Sequence, residues 1–209
     1  LLLFGPFLPV APAAQPETAG RCVPVVYGTD LFHPHDDPDD HYDLATLMAI
    51  EQFQVKAILL DLGERQRQRP GRIPLEQMFH LTGRRIPYAT GLGRKLNSPA
   101  DKGLDAPGEE QAAVELLLAT LRTASEPVTI ITAGSLRDVC AAFNREPEVL
   151  KAKVRRIYVN IGAANDQAEW NVGLDVHAYV GLMRSGLPLY WCPCLPMAAH
   201  RHSTYWKFQ

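Results

Sequence analysis

Long apolar runs are scarce in this 209-residue chain, and none approaches the roughly 20 residues that a helix needs to cross a bilayer, so no membrane span is expected. Charge of one sign is missing too. Lys plus Arg number 21 against 23 Asp plus Glu, a formal net charge of −2. That balance gives no electrostatic footprint for nucleic acid or an anionic surface. Cysteines are four, Cys22, Cys140, Cys192 and Cys194, too few for a disulfide scaffold. Cys192-Pro193-Cys194, followed by His200 and His202, has the ligand types of a zinc site but matches none of its common spacings. Buried thiols or a cysteine pair are the expectation. No Gly-x-Gly-x-x-Gly and no P-loop follows an expected strand, which argues against dinucleotide and nucleoside triphosphate enzymes.

What is present is an ordinary globular composition, 46% hydrophobic and 21% charged. Leu1-Leu2-Leu3-Phe4, then Phe7, Leu8 and Val10, lead into Ala11-Pro12-Ala13-Ala14. An apolar run ending in small residues reads as part of a secretory signal over 1–14, and so as an exported protein, with a hydrophobic tail packed on the domain as the competing reading. From residue 21 to 209 the pattern alternates strand and helix. Strands are expected at 22–29, 55–61, 86–89, 128–132, 156–159 and 187–191. Helices are expected at about 41–53, 74–83, 109–124, 135–145 and 174–185, with another turn around 147–152. Residues 64–72, rich in Arg and Gln, and 94–108 read as loops. Alternation of this kind predicts an α/β fold with a mostly parallel, Rossmann-like sheet and helices on both faces. Ligands of such folds bind beyond the carboxyl ends of the strands, so the polar residues just after each strand carry the chemistry.

The loop after the first strand holds Asp30, Asp36, Asp37, Asp39 and Asp40 within eleven residues. One or two acids there serve as helix caps and dipole partners. Five exceed that need and repel one another, and a hard divalent cation bound through carboxylate oxygens would relieve the repulsion. EF-hand spacing is absent. A plain solvated acidic loop is the competing reading, and His33 and His35 read as loop residues.

Three blocks, each after an expected strand and in the same order, resemble the inosine- and uridine-preferring nucleoside hydrolases. Thr29-Asp30 with Asp39-Asp40 and an Ala/Leu-rich helix is similar to the family's aspartate signature. Thr132-Ala133-Gly134-Ser135-Leu136 is similar to its Gly-Pro-Leu-Thr-Asn turn. Ile161-Gly162-Ala163-Ala164-Asn165, then Glu169-Trp170-Asn171 and Asp175, resembles its Met-Gly-Gly, Glu-Phe-Asn and Asp-Pro-Glu-Ala elements. The likeness runs from about Val25 to Leu189.

The resemblance implies Ca²⁺-dependent hydrolysis of the N-glycosidic bond of a ribonucleoside through an oxocarbenium-like state. It implies Asp30 as calcium ligand and general base, Asp40 and the Ala133 carbonyl as further calcium ligands, and Asp39, Asn165, Glu169 and Asn171 as substrate-binding residues. The bland reading of Glu169 and Asn171 is a turn bridge into the next helix, and Asp175 fits a helix N-terminus. The chain departs from the family pattern at Gly28, where an Asp is usual, and at Gly63-Glu64-Arg65, where a polar Asn is usual. It also ends at Trp206-Lys207-Phe208-Gln209 without the family's late His-Asp pair. A fragment lacking its C-terminal part is therefore expected. The implied partner is a small nucleoside or riboside, with a homo-oligomer left open. A non-catalytic calcium- or sugar-binding relative of the same fold is the alternative.

Overall fold

A computed structural model describes residues 22–32, 38–165 and 168–194. The expectations for residues 1–14, for His33, His35, Asp36 and Asp37, and for His200, His202 and 206–209 lie outside these residues.

Six strands form one parallel sheet: β1 (Val23–Thr29), β2 (Phe53–Leu60), β3 (Tyr88–Thr90), β4 (Val128–Ala133), β5 (Val154–Val159) and β6 (Leu189–Trp191), in the order β3-β2-β1-β4-β5-β6. Among the described residues eight helices accompany them: α1 (Asp39–Ala49), α2 (Glu64–Gln68), α3 (Arg72–Thr82), α4 (Ala112–Thr123), α5 (Arg137–Arg145), α6 (Pro147–Lys153), α7 (Trp170–Leu174) and α8 (Val176–Met183), with a 3₁₀ turn at Gly108–Gln111 ahead of α4.

β1 runs through the middle of the sheet, and its alternating side chains enter two separate cores. Val26 joins Ala57, Leu59, Ile130, Ile157 and Val159 on one face, where the stripe Ala113, Val114, Leu117, Leu118 and Leu121 of α4 packs with α5 and α8. Val25 and Tyr27 join Val55, Ile58 and Leu60 on the other face, beneath Leu44, Leu47 and Met48 of α1 and Leu75 and Phe79 of α3. Two apolar faces on one sheet require near-continuous apolar strands, as Val128–Ala133 shows. Element ends follow local chemistry. Gly83, at φ 66°, stops α3 in the left-handed conformation, and Pro147 opens α6 where a missing N–H costs nothing.

The structure corrects three boundaries. Residues 64–68, expected as loop, are helical. Arg, Gln and Glu are good helix formers, but α2 buries only Gln66, so no apolar stripe marks it. The expected helix at 174–185 is instead α7 and α8. Asp175 lies between them in extended conformation (φ −161°, ψ 94°) and caps α8 by accepting from the Ala178 N–H at 3.0 Å. The expected helix at 109–124 begins as a 3₁₀ turn.

The order places a reversal between β1 and β4. The chain winds outward from β1 through β2 to β3, then returns to β4 and winds the other way. That crevice, at the carboxyl ends of β1 and β4, is where the acidic loop emerges.

Because Leu117 of α4 is fully buried in the larger core, Leu117→Ala is expected to lower stability by about 2–5 kcal/mol in urea unfolding, with the two-state transition retained.

Candidate active site

Asp30 follows the last residue of β1, and the backbone turns at once. Leu31 has φ 28°, in the left-handed region that a bulky aliphatic residue seldom adopts. Local hydrogen bonds hold it there. The Leu31 N–H donates to Thr29 Oγ1 at 2.9 Å and to Asp40 Oδ2 at 3.3 Å, and the Leu31 side chain is fully buried. The Thr29 hydroxyl itself donates to Asp40 Oδ2. This mesh ties the end of β1 to the first turn of α1, whose N-terminal dipole favours the Asp39 and Asp40 carboxylates.

Asp30 and Asp40 are 9% and 6% exposed. Burial, and next the neighbouring charge of Asp30, push the Asp40 carboxyl well above the ordinary carboxylate range. Asp39 adds a smaller push to Asp40 and also acts on Asp43. Of the acids that sequence spacing grouped, Asp30, Asp39 and Asp40 act on one another electrostatically.

Ala133 ends β4 in register with Thr29. The next residue, Gly134, lies so close that a Cβ there would sit 2.7 Å from Asp61 Oδ2 and 3.0 Å from the Asp30 N. Only glycine fits that approach. Asp61, just past β2, accepts from the Ser135 N–H (2.6 Å) and hydroxyl (2.9 Å) and so fixes the turn that carries Ala133. Burial raises the Asp61 pKa against the pull of Arg137 and Ser135.

A buried polar layer backs this turn. Arg137 Nε donates to Asp175 Oδ2 at 3.1 Å, and its other nitrogens donate to the carbonyls of Leu62, Leu92 and Leu174. Asp138 accepts from the Leu92 N–H at 2.9 Å and occupies the space a Cβ on Gly91 would need. Burial, then the charge of Asp61, raises Asp138 to about 7. Sequence reading missed Asp61, Arg137 and Asp138 as parts of the site's frame. The signal for Asp61 was available: it stands directly after a strand, as Asp30 does.

Of the expected substrate residues, Asp39 opens α1 half-buried and Asn165 stands exposed in the loop after β5. Glu169 caps α7. Its carboxylate accepts from the N–H groups of Gly162 (2.8 Å), Asn171 (3.0 Å) and Val172 (2.9 Å). Asn171 is buried and donates through Nδ2 to the Asn160 carbonyl at 3.1 Å. The turn-bridging reading of this pair is thus part of the structure. Cys140 and Cys194 are buried, Cys22 and Cys192 exposed, and all four are free thiols. Among the described residues no three His, Cys, Asp or Glu side chains gather as a metal cluster. Two carboxylates and main-chain oxygen are what this crevice offers, a set suited to a hard, oxygen-seeking cation. No described helix is long and apolar enough to cross a membrane.

Comparison with known proteins places this geometry. The family model described as "Inosine-uridine preferring nucleoside hydrolase" matches residues 29–206. The chain is 30% identical to the pyrimidine-specific ribonucleoside hydrolase RihA of Salmonella paratyphi A and 29% identical to that of Escherichia coli O7:K1, with 80% of this chain and 58% of each relative covered. It therefore spans a little over half the length of the curated relatives it matches. Among solved structures it is similar to a purine-preferring ribonucleoside hydrolase from Gardnerella vaginalis (TM-score 0.63, 18% identity, 80% and 60% covered). It is similar also to an inosine-uridine preferring nucleoside hydrolase from Bacillus anthracis (TM-score 0.63, 17% identity, 82% and 64% covered). These likenesses show the fold.

The raised carboxyls set a pH dependence. Asp138 titrates at about 7 and Asp43, lifted by burial and then by Asp39, at about 6. Above the unfolded value of an Asp, near 4, the folded state binds more protons at these groups than the unfolded state does. Stability therefore falls as pH rises through 6 and 7. Asp101, Glu110 and Glu146 are held low and act only at more acid pH. The thermal unfolding midpoint is expected to drop between pH 5 and 8, with a shallower slope in Asp138→Asn. A midpoint that rises across that window contradicts the assignment.

Proposed function

As this chain belongs to the inosine-uridine preferring nucleoside hydrolase family, we propose that it hydrolyses the N-glycosidic bond of ribonucleosides or related ribosides with the help of a bound Ca²⁺. The observation that carries this reading is the buried Asp30–Asp40 pair, tied through Thr29 and Leu31 and set beside Ala133 at the reversal of the sheet. Two adjacent carboxylates in a buried crevice repel when both are ionised, and a divalent cation reverses that penalty. Asp30, Asp40 and the Ala133 carbonyl would hold it. When bound, the ion supplies Lewis acidity and a fixed positive charge.

The protein's own groups do the rest. Asp30 takes the proton of the attacking water as general base. The water oxygen bonds to the anomeric carbon as the C–N bond breaks, and the base departs with that electron pair, its nitrogen taking up a proton from solvent. Asp39 accepts a hydrogen bond from a ribose hydroxyl. Glu169 and Asn171, fixed by their own backbone contacts, and Asn165 hold the sugar. Carboxylates around the ring complement the positive charge that develops there. The apolar run and small residues of 1–14 support action outside the cytoplasm. The second reading, a sugar- or calcium-binding relative without activity, is favoured by Gly28, which stands where the family's first Asp is usual.

Two substitutions test the proposal. Asp40→Asn is expected to abolish calcium binding in calorimetry together with ribose release from inosine and uridine. Asp30→Asn is expected to slow release by about 10²–10⁴-fold. Ribose release that persists in Asp40→Asn excludes the calcium-dependent mechanism. No release from the unaltered chain selects the binding reading.

A further inference from the structure

The Arg- and Gln-rich segment after β2 plays no part in the chemistry above, yet the fold brings it to the rim of the crevice. Gln66 of α2 is buried and its Nε2 lies 3.5 Å from the Asp30 carbonyl, which fixes α2 against the catalytic loop. Arg65, the preceding residue, lays its guanidinium over the ring of Phe32, 4.2 Å from the centroid, and 5.7 Å from the ring centre of Trp170. Phe32 is two residues beyond Asp30, and Trp170 stands between Glu169 and Asn171. Arg65 therefore bridges the two walls that hold the ribosyl site. Arg69, one helical turn on, also faces the Phe32 ring, at 5.7 Å.

The arginines of this segment differ in their partners. Arg67 is paired with Glu110 at 2.7 Å. No described carboxylate pairs with Arg65, which is exposed and makes aromatic contacts instead. Stacking occupies the faces of a guanidinium and leaves its in-plane N–H edge free, the edge that binds a phosphate in bidentate fashion. Around it the crevice is acidic, and an acidic crevice alone repels an anionic substrate. A preorganised cation at the rim reverses that for a sugar bearing a negative group.

We propose that Arg65 is an anion-recognition residue, and that the riboside this site prefers carries a phosphate, as a nucleoside monophosphate does. The proposal rests on the ribosyl site argued above and names the class of substrate it takes. Phe32 and Trp170 hold the guanidinium in place, Arg65 meets the phosphate, and the acidic floor meets the sugar.

The test titrates ribose 5-phosphate and ribose, in separate calorimetric runs with calcium present, into the 209-residue chain and into Arg65→Gln and Arg65→Lys. Ribose 5-phosphate is expected to bind about tenfold or more tightly than ribose to the unaltered chain. That ratio collapses towards one in Arg65→Gln and is partly kept in Arg65→Lys, which retains charge without the planar fork. Equal binding of the two sugars by the unaltered chain, no binding of ribose 5-phosphate, or a ratio that survives in Arg65→Gln overturns the proposal. Uracil release from uridine 5′-monophosphate and uridine, measured in parallel, separates the two readings. An Arg65-dependent phosphate preference without cleavage of either compound supports the anion site and refutes the hydrolase.

Discussion

Two carboxylates, Asp30 and Asp40, occupy a buried crevice where the backbone of one strand ends and a helix begins. Removing a carboxylate from water is costly, and placing a second beside it costs more. The protein accepts this because everything around the pair is fixed. Thr29 and the Leu31 N–H bond to Asp40, Leu31 adopts a seldom-used φ to make that contact, and its side chain is locked in the second core. Backbone strain and buried like charge in the same few residues mark a place kept for function at the expense of stability.

The rest of the carboxyl-end architecture follows from that placement. If Ala133 is to lie beside Asp30, the turn after β4 must approach within van der Waals contact, and Gly134 makes that possible. Asp61 then pins Ser135, and the Arg137–Asp175 pair with Asp138 fills the layer behind, satisfying the carbonyls and N–H groups of the loops it touches. Arg137 and Asp175 are nearly inaccessible to solvent, so each is the other's necessary partner. The site's oxygens are held by a polar scaffold that itself rests on the apolar stripe of α4.

Much of this was legible in the residues. Alternating apolar segments gave each strand its place in order, because a strand buried on both faces has a continuous apolar signature. Asp30 and Asp40 stood out as acids in the loop just past a strand end, whereas Ala133 was singled out only through the family resemblance. Helix α2 was not legible, since it buries one glutamine and presents arginines outward. The capping role of Glu169 was readable only as an alternative, because an acid at a helix entrance looks the same whether it binds backbone or ligand. Asp61, Arg137 and Asp138 escaped notice because their partners lie across the fold, from 37 to 75 residues away in the chain, and no local pattern encodes a contact of that span.

The reversal between β1 and β4 has a further consequence for how the molecule forms. Gly28 pairs with Thr132 and Thr29 with Ala133, partners more than a hundred residues apart in sequence. Packing bridges the same seam: Val26, Ala57 and Leu59 of β1 and β2 share one core with Ile130 and Ile157 of β4 and β5, and Ala133 of β4 joins the other. Contacts of such high contact order carry the largest loop-closure entropy and are won late in folding. The crevice past the ends of β1 and β4 therefore exists only once this long-range pairing has formed, and its geometry reports on the sheet as a whole.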